Sequence, residues 1–262
     1  MTARTYHDDP DLKDRVVRAA EDHREADRFV QGEYLALGDG EWRGCSVGCT
    51  VAPLLAAERG VPVTKVVGGR WHEEESRLLG IPEWLARVQD QIFEGMAADH
   101  IEWTPRLLSA IPVGVSHESL SATRDEWLRD LLHDPERGAV PAAARSLRRA
   151  GQNDSASDLE QITRETPLGE VRIRCAVAAD ATNAAYATNV AVVLPDAAPA
   201  ACAANAACAA NAVDATTNAA DAAATAYAYA ADAYAAAGGV GAWWTWAGDR
   251  LLARLTDTGN DR

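Results

Sequence analysis

The residues best suited to chemistry sit in Gly44-Cys45-Ser46-Val47-Gly48-Cys49, where two thiols lie beside glycines ahead of an apolar run that reads as a helix. A thiol near a helix N-terminus feels the positive end of the helix dipole, which favours thiolate, the form that serves as nucleophile or metal ligand. Cys45 and Cys49 have a spacing seen at structural zinc sites, and His72 and Glu75 would complete a ligand set of Cys45, Cys49, His72 and Glu75. The same thiols support a catalytic reading, with Cys45 or Cys49 as nucleophile, His72 as base, and Glu75 or Asp90 orienting the imidazole. Asp90 and Glu94 lie four apart on one helix face and could hold a cation with His72. Against these stands the ordinary case, small buried cysteines packed at a turn. No cofactor is expected, and zinc is the metal that the four-residue set would take.

Other sources of chemistry are missing. The chain has no Walker phosphate loop, no His-Glu-x-x-His zinc helix and no dinucleotide fingerprint. Cys202 and Cys208 cannot complete a site as a pair, because six residues along a helix turn them about 120° apart.

The elements that must position the thiols are legible on either side. Asp9-Pro10 opens a charged helical segment through about Gln31. Two β-compatible runs, Glu33 to Leu37 and Glu41 to Arg43, flank Gly38-Asp39-Gly40, which predicts a hairpin that delivers Cys45 to its exit. Thr50 can cap a helix through about Arg59, with Pro53 in its first turn and Gly60 as its stop. The run from Val61 to Val67 reads as a strand or a buried loop. Beyond Trp71 the pattern is helical: Pro82 suits a helix start, and Leu85, Val88, Ile92 and Met96 share one face. Leu120, Trp127, Leu128, Leu131 and Leu132 form a second apolar stripe.

Composition changes beyond Gly169, and alanine fills more than half of the positions between Ala197 and Ala237. Alanine is the strongest helix former, and Pro195 and Pro199 split the tract, so it reads as a helical hairpin stopped at Gly238-Gly239. At about 100° per residue, Asn211, Asp214, Asn218, Asp221, Thr225 and Asp232 fall in one sector. Ala209, Val213, Ala220, Tyr227, Ala231 and Tyr234 fall opposite, a small-residue face on which another helix can pack closely. A last helix carries Trp243, Trp244, Trp246, Leu251, Leu252 and Leu255.

The expected fold is therefore mainly α: an N-terminal α+β module with a small β-hairpin over 1–150, then a long alanine-rich helical hairpin and a final helix over 151–262. With 262 residues, the chain can bury a sizeable core. Acidic residues outnumber basic ones by 39 to 25, and the net charge of −14 disfavours contact with nucleic acid or an anionic membrane surface. The N-terminus has no apolar signal core, and five cysteines make no paired framework, which favours a reducing cytoplasm. The regularly spaced Asn and Asp residues of the alanine-rich tract exclude a membrane span there.

The middle of the chain resembles an uncharacterised family of bacterial and phage proteins. The likeness rests on Gly44-Cys45-Ser46-Val47-Gly48-Cys49, His72, Gly80-Ile81-Pro82, Asp90, Ile92-Phe93-Glu94-Gly95 and Ala110-Ile111-Pro112-Val113-Gly114, with an alanine-rich tail similar in composition. Members often carry Tyr-Glu where this chain has Glu75-Ser76. The resemblance implies a domain and no reaction. The function expected from the sequence is binding or assembly through the alanine-rich helix face, with a protein partner or a second copy. The alternative is a thiol-dependent enzyme or metal-binding protein centred on Cys45, Cys49 and His72.

Overall fold

In the computed structural model, the described residues are 3–177, apart from positions 39, 40, 98, 150, 172, 175 and 176, together with 240–260. The expected alanine-rich hairpin, including its face from Ala209 to Tyr234, lies outside them. What is described is mainly α, with an N-terminal α+β module that contains one two-stranded antiparallel sheet.

Helix α1 (Pro10–Glu25) starts where Asp9 caps it, its carboxylate accepting from the Asp11 and Leu12 amides, with Pro10 in the first turn. It ends six residues short of the expected Gln31, and Asp27 takes a left-handed conformation that turns the chain. The hairpin follows as expected: β1 (Ala36–Gly38) pairs with β2 (Glu41–Arg43), placing Ala36 opposite Arg43 and Leu37 opposite Trp42.

Helix α2 (Ser46–Arg59) begins four residues before Thr50, with Cys45 as its N-cap residue and Gly60 closing it in the left-handed region. Pro53 consequently lies inside the helix. The 61–67 run is a loop with one 3-10 turn, Val63–Lys65. Helices α3 (Trp71–Leu79) and α4 (Glu83–Gly95) are separated by a sharp turn through Gly80, and Pro82 is the N-cap of α4. Then come α5 (His100–Ala110), α6 (His117–His133), α7 (Ala139–Arg149), α8 (Asn153–Glu160) and α9 (Val240–Asn260).

The chain forms two compact units, one of Met1–Asp125 with Trp244–Arg262 and the other of Glu126–Trp243. In the first, α2 packs against α1, α3 and α4, and α5 packs against α1 and α4. Val47, Val51, Leu55, Leu79, Leu85, Ile92 and Phe93 are buried there. The chain start is tied to this core by a turn, Thr5–Asp8, in which the buried Tyr6 hydroxyl donates to the Leu108 carbonyl at 2.6 Å. In the second unit, α7 and α8 pack together around Leu147 and Leu159, and Arg164 pairs with Glu126 and Asp130 at 2.8 Å each. No described helix is long and apolar enough to cross a membrane.

Candidate metal centre

The glycines around the thiols have a steric cause. A Cβ at Gly44 or Gly48 would overlap the Tyr34 carbonyl, so the segment before the hairpin lies directly on the first turn of α2. That close approach brings the Tyr34 ring over the site. The ring stacks on Trp71, with centroids 5.8 Å apart and planes 9° from parallel, and meets His72 edge-on.

Asp90 on α4 is the junction. Its Oδ2 accepts from the Tyr34 hydroxyl at 3.0 Å and from His72 Nε2 at 3.1 Å. Since a carboxylate only accepts, His72 carries its proton on Nε2 in this contact. One helical turn on, the exposed Glu94 receives the Gly32 amide on Oε2 at 2.8 Å. Trp103 on α5 fixes this part of α4 from inside, its indole donating to the Gln89 carbonyl at 3.1 Å. Beneath α2, the Thr104 hydroxyl donates to Ser46 Oγ at 2.7 Å, which holds the helix start on α5.

The Cys45 sulfur faces this group. Ligand atoms of Cys45, Asp90 and Glu94 all lie within 4.8 Å of one another. Burial pushes the Cys45 thiol well up, and Asp90 pushes it further by charge and by hydrogen bonding, while the Gly48 and Val47 amides pull the other way. The helix start therefore does not win: the dipole argument of the sequence is outweighed by desolvation and a facing carboxylate. Burial also raises the Tyr34 hydroxyl, with the Asp90 charge adding to it. Glu94 is raised by burial and by Asp90 against the Gly32 amide.

Cys49 stands apart from the cluster. Its thiol donates to the Gly44 carbonyl at 3.3 Å and lies 3.6 Å from the Arg28 carbonyl, and burial pushes it up to about 12. Glu75, one turn after His72 on α3, points into the interior. It is fully buried, neither of its oxygens has a hydrogen-bond partner, and burial followed by the Asp90 charge holds its carboxyl well above the usual range. Of the residues expected to act together, the structure thus gathers Cys45, His72 and Asp90, turns Cys49 away, and places Glu75 in the interior on the Asp90 side.

Glu94, weighed in the sequence only with Asp90 and His72, joins Cys45 instead. Tyr34, Gln89 and Gly32 were not singled out. The signal for Tyr34 was present in Gly44, just before α2, and Gly48, in its first turn, since residues without a Cβ allow another backbone to approach closely.

A scan against protein-family models and searches of curated proteins and of solved structures give no match.

Proposed function

We propose that the protein binds a divalent transition-metal ion of the zinc class through Cys45, Asp90 and Glu94. The observation that carries this reading is that a thiol and two carboxylates bring ligand atoms within 4.8 Å of one another. A thiolate with two carboxylates suits a borderline-soft ion better than magnesium or calcium, which prefer all-oxygen sets. Around these ligands stand the supports that metal sites use: Tyr34 and His72 on Asp90, and the Gly32 amide on Glu94. The high thiol pKa is no obstacle, because a bound cation replaces the proton and deprotonates the ligand.

Three protein ligands with Glu94 at the solvent side leave a fourth position for water, the arrangement of catalytic rather than closed structural zinc sites. Metal-assisted activation of water is the reaction class this favours. The thiol-nucleophile reading has less support, since burial and the facing Asp90 carboxylate push the Cys45 thiol well up, against thiolate formation. A cytoplasmic location, which free buried thiols at Cys45 and Cys49 fit, remains part of this proposal, as does the family likeness.

The test is titration of the purified full chain with cobalt(II). A thiolate-to-cobalt absorption band is expected in the wild type, with its loss in Cys45→Ser, its persistence in Cys49→Ser, and at least tenfold weaker binding in Asp90→Asn. A band that survives Cys45→Ser, or no binding at all, would reject the proposal.

A further inference from the structure

The chain between α1 and the hairpin touches all three of the proposed ligands. After α1, the Gly44 amide donates to the Arg28 carbonyl at 3.0 Å and the Val30 amide to the Gly44 carbonyl at 2.9 Å, so this segment runs alongside the residue that precedes Cys45. The Glu33 carbonyl then accepts the Cys45 amide at 2.7 Å, the Tyr34 hydroxyl donates to Asp90 Oδ2 at 3.0 Å, and the Gly32 amide donates to Glu94 Oε2 at 2.8 Å. Residues 32–34 thus reach Cys45, Asp90 and Glu94 by one hydrogen bond each.

Gln31 anchors this stretch to the end of α4. The last carbonyls of a helix have no amide partner within it. Here Gln31 Nε2 donates to the carbonyls of Phe93 at 2.7 Å, Met96 at 2.9 Å and Glu94 at 3.2 Å. Two N–H bonds serve three carbonyls, so one of them is shared. Phe29 adds an apolar contact from the same segment, its buried ring lying 5.9 Å from that of Phe93. The Gln31 side chain and the Gly32 amide therefore hold the backbone and the side chain of one residue, Glu94. Gly32 has a left-handed φ of 88°, which lets the chain leave that amide and turn back toward Cys45.

We propose that Gln31 is a positioning residue for the metal centre: by fixing the Gly32 amide on Glu94 Oε2, it limits Glu94 to a single oxygen toward the ion and keeps the fourth position open for water. The inference rests on Cys45, Asp90 and Glu94 being metal ligands, and it adds what sets the coordination number there. A carboxylate binds a cation through one oxygen or through both. With Oε2 taken by the amide, Oε1 is the oxygen left for the ion. Without that contact both oxygens turn to the ion, and the second takes the place that a catalytic site leaves to water. Partners of this kind on a ligating carboxylate orient it and are felt in metal affinity.

The experiment loads the full chain with cobalt(II) and reads two regions of its spectrum. The thiolate-to-cobalt band reports Cys45. The visible ligand-field bands report the number of donors, being intense for a tetrahedral ion, which lacks a centre of symmetry, and weak at higher coordination. Gln31→Leu, of similar size and without the donors, is expected to keep the thiolate band, lose most of the visible intensity and bind cobalt about tenfold more weakly. Gly32→Ala strains a left-handed residue that has open space around it and should do the same through the amide itself, which decides the matter should Gln31→Leu not fold. Gly60→Ala puts the same kind of strain at the end of α2, also in open space, and should leave the spectrum as in the wild type. Should Gln31→Leu keep the wild-type visible intensity, or Gly60→Ala lower it as much, the positioning role is rejected and the metal centre stands. If the wild type shows no thiolate-to-cobalt band, both readings fall.

Discussion

A single carboxylate organises the chemistry of this protein at the scale of side chains. Asp90 receives Tyr34 and His72 on one oxygen, lies beside Cys45 and Glu94, and has its other oxygen buried without a hydrogen-bond partner. It accounts for part of the upward shift of four neighbours, Tyr34, Cys45, Glu75 and Glu94. A second buried group acts independently of it. His23 on α1 lies edge-on to Trp42 at 4.9 Å and to Phe29 at 6.4 Å, and its Nδ1 has no partner. Burial, reinforced by the Arg28 charge and opposed by Asp22, pushes its pKa from 6.5 down to about 4. The unfolded chain therefore takes up a proton on this ring at a higher pH than the folded one. Stability from this residue is complete above pH 6.5 and is lost as pH falls toward about 4. His23→Gln should flatten the fall of the melting temperature across that window. Parallel slopes for the two proteins would show that His23 carries none of it.

The elements explain why these side chains meet, and also why the start of α2 departs from the one expected. Thr50 is a good cap by type, and Gly44 and Gly48 look like loop, so the helix was expected to begin at Thr50. Its start at Ser46 follows from a contact that is not local: the Tyr34 backbone lies on the first turn, and only a residue without Cβ fits at Gly48. The hairpin, the Gly60 stop and the Pro82 start were legible because each depends on a residue's own backbone preference. The pairing of Cys45 with Asp90 was not, because it depends on how α2, α3 and α4 pack. Gly48→Ala tests this. The added methyl meets backbone and not a flexible side chain, so something must shift, at a cost of about 3 kcal/mol. Cobalt binding should weaken with it, since Tyr34 would be pushed off Asp90. Gly38→Ala, where a Cβ meets nothing within 4 Å, should leave both stability and metal binding close to wild type. Equal melting temperatures for the two variants would show that the close approach of Tyr34 has no energetic weight.

Across the whole molecule, the first unit is closed by residues far away in the chain. Helix α9 sets the Trp244 indole against Gly95 at the end of α4, and Gly248 faces Met96, Trp103 and Ile92. Ala247, Leu251 and Leu255 on the same helix are buried, and polar pairs flank them: Arg106 with Asp249 at 2.8 Å, and Thr123 with Thr258 at 2.7 Å. The apolar stripe of this helix could be read from the sequence, but its destination could not, because periodicity identifies a buried face and says nothing of what covers it. Helix α4 carries Gln89, Asp90 and Glu94, so support from α9 should be felt at the metal centre as well as in stability. Trp244→Ala removes a large ring that is 7% exposed and leaves the Gly95 surface uncovered, for an expected loss of about 3 to 5 kcal/mol. Trp246 on the same helix is half-buried, with Arg250 5.8 Å over its ring, and Trp246→Ala should cost under about 1.5 kcal/mol. Urea unfolding measures both, and cobalt titration below the unfolding transition should show weaker binding only for Trp244→Ala. If Trp244→Ala lowered stability and left cobalt affinity unchanged, α9 would be a structural brace whose influence stops at the C-terminal end of α4, short of the carboxylates that α4 presents to the ion.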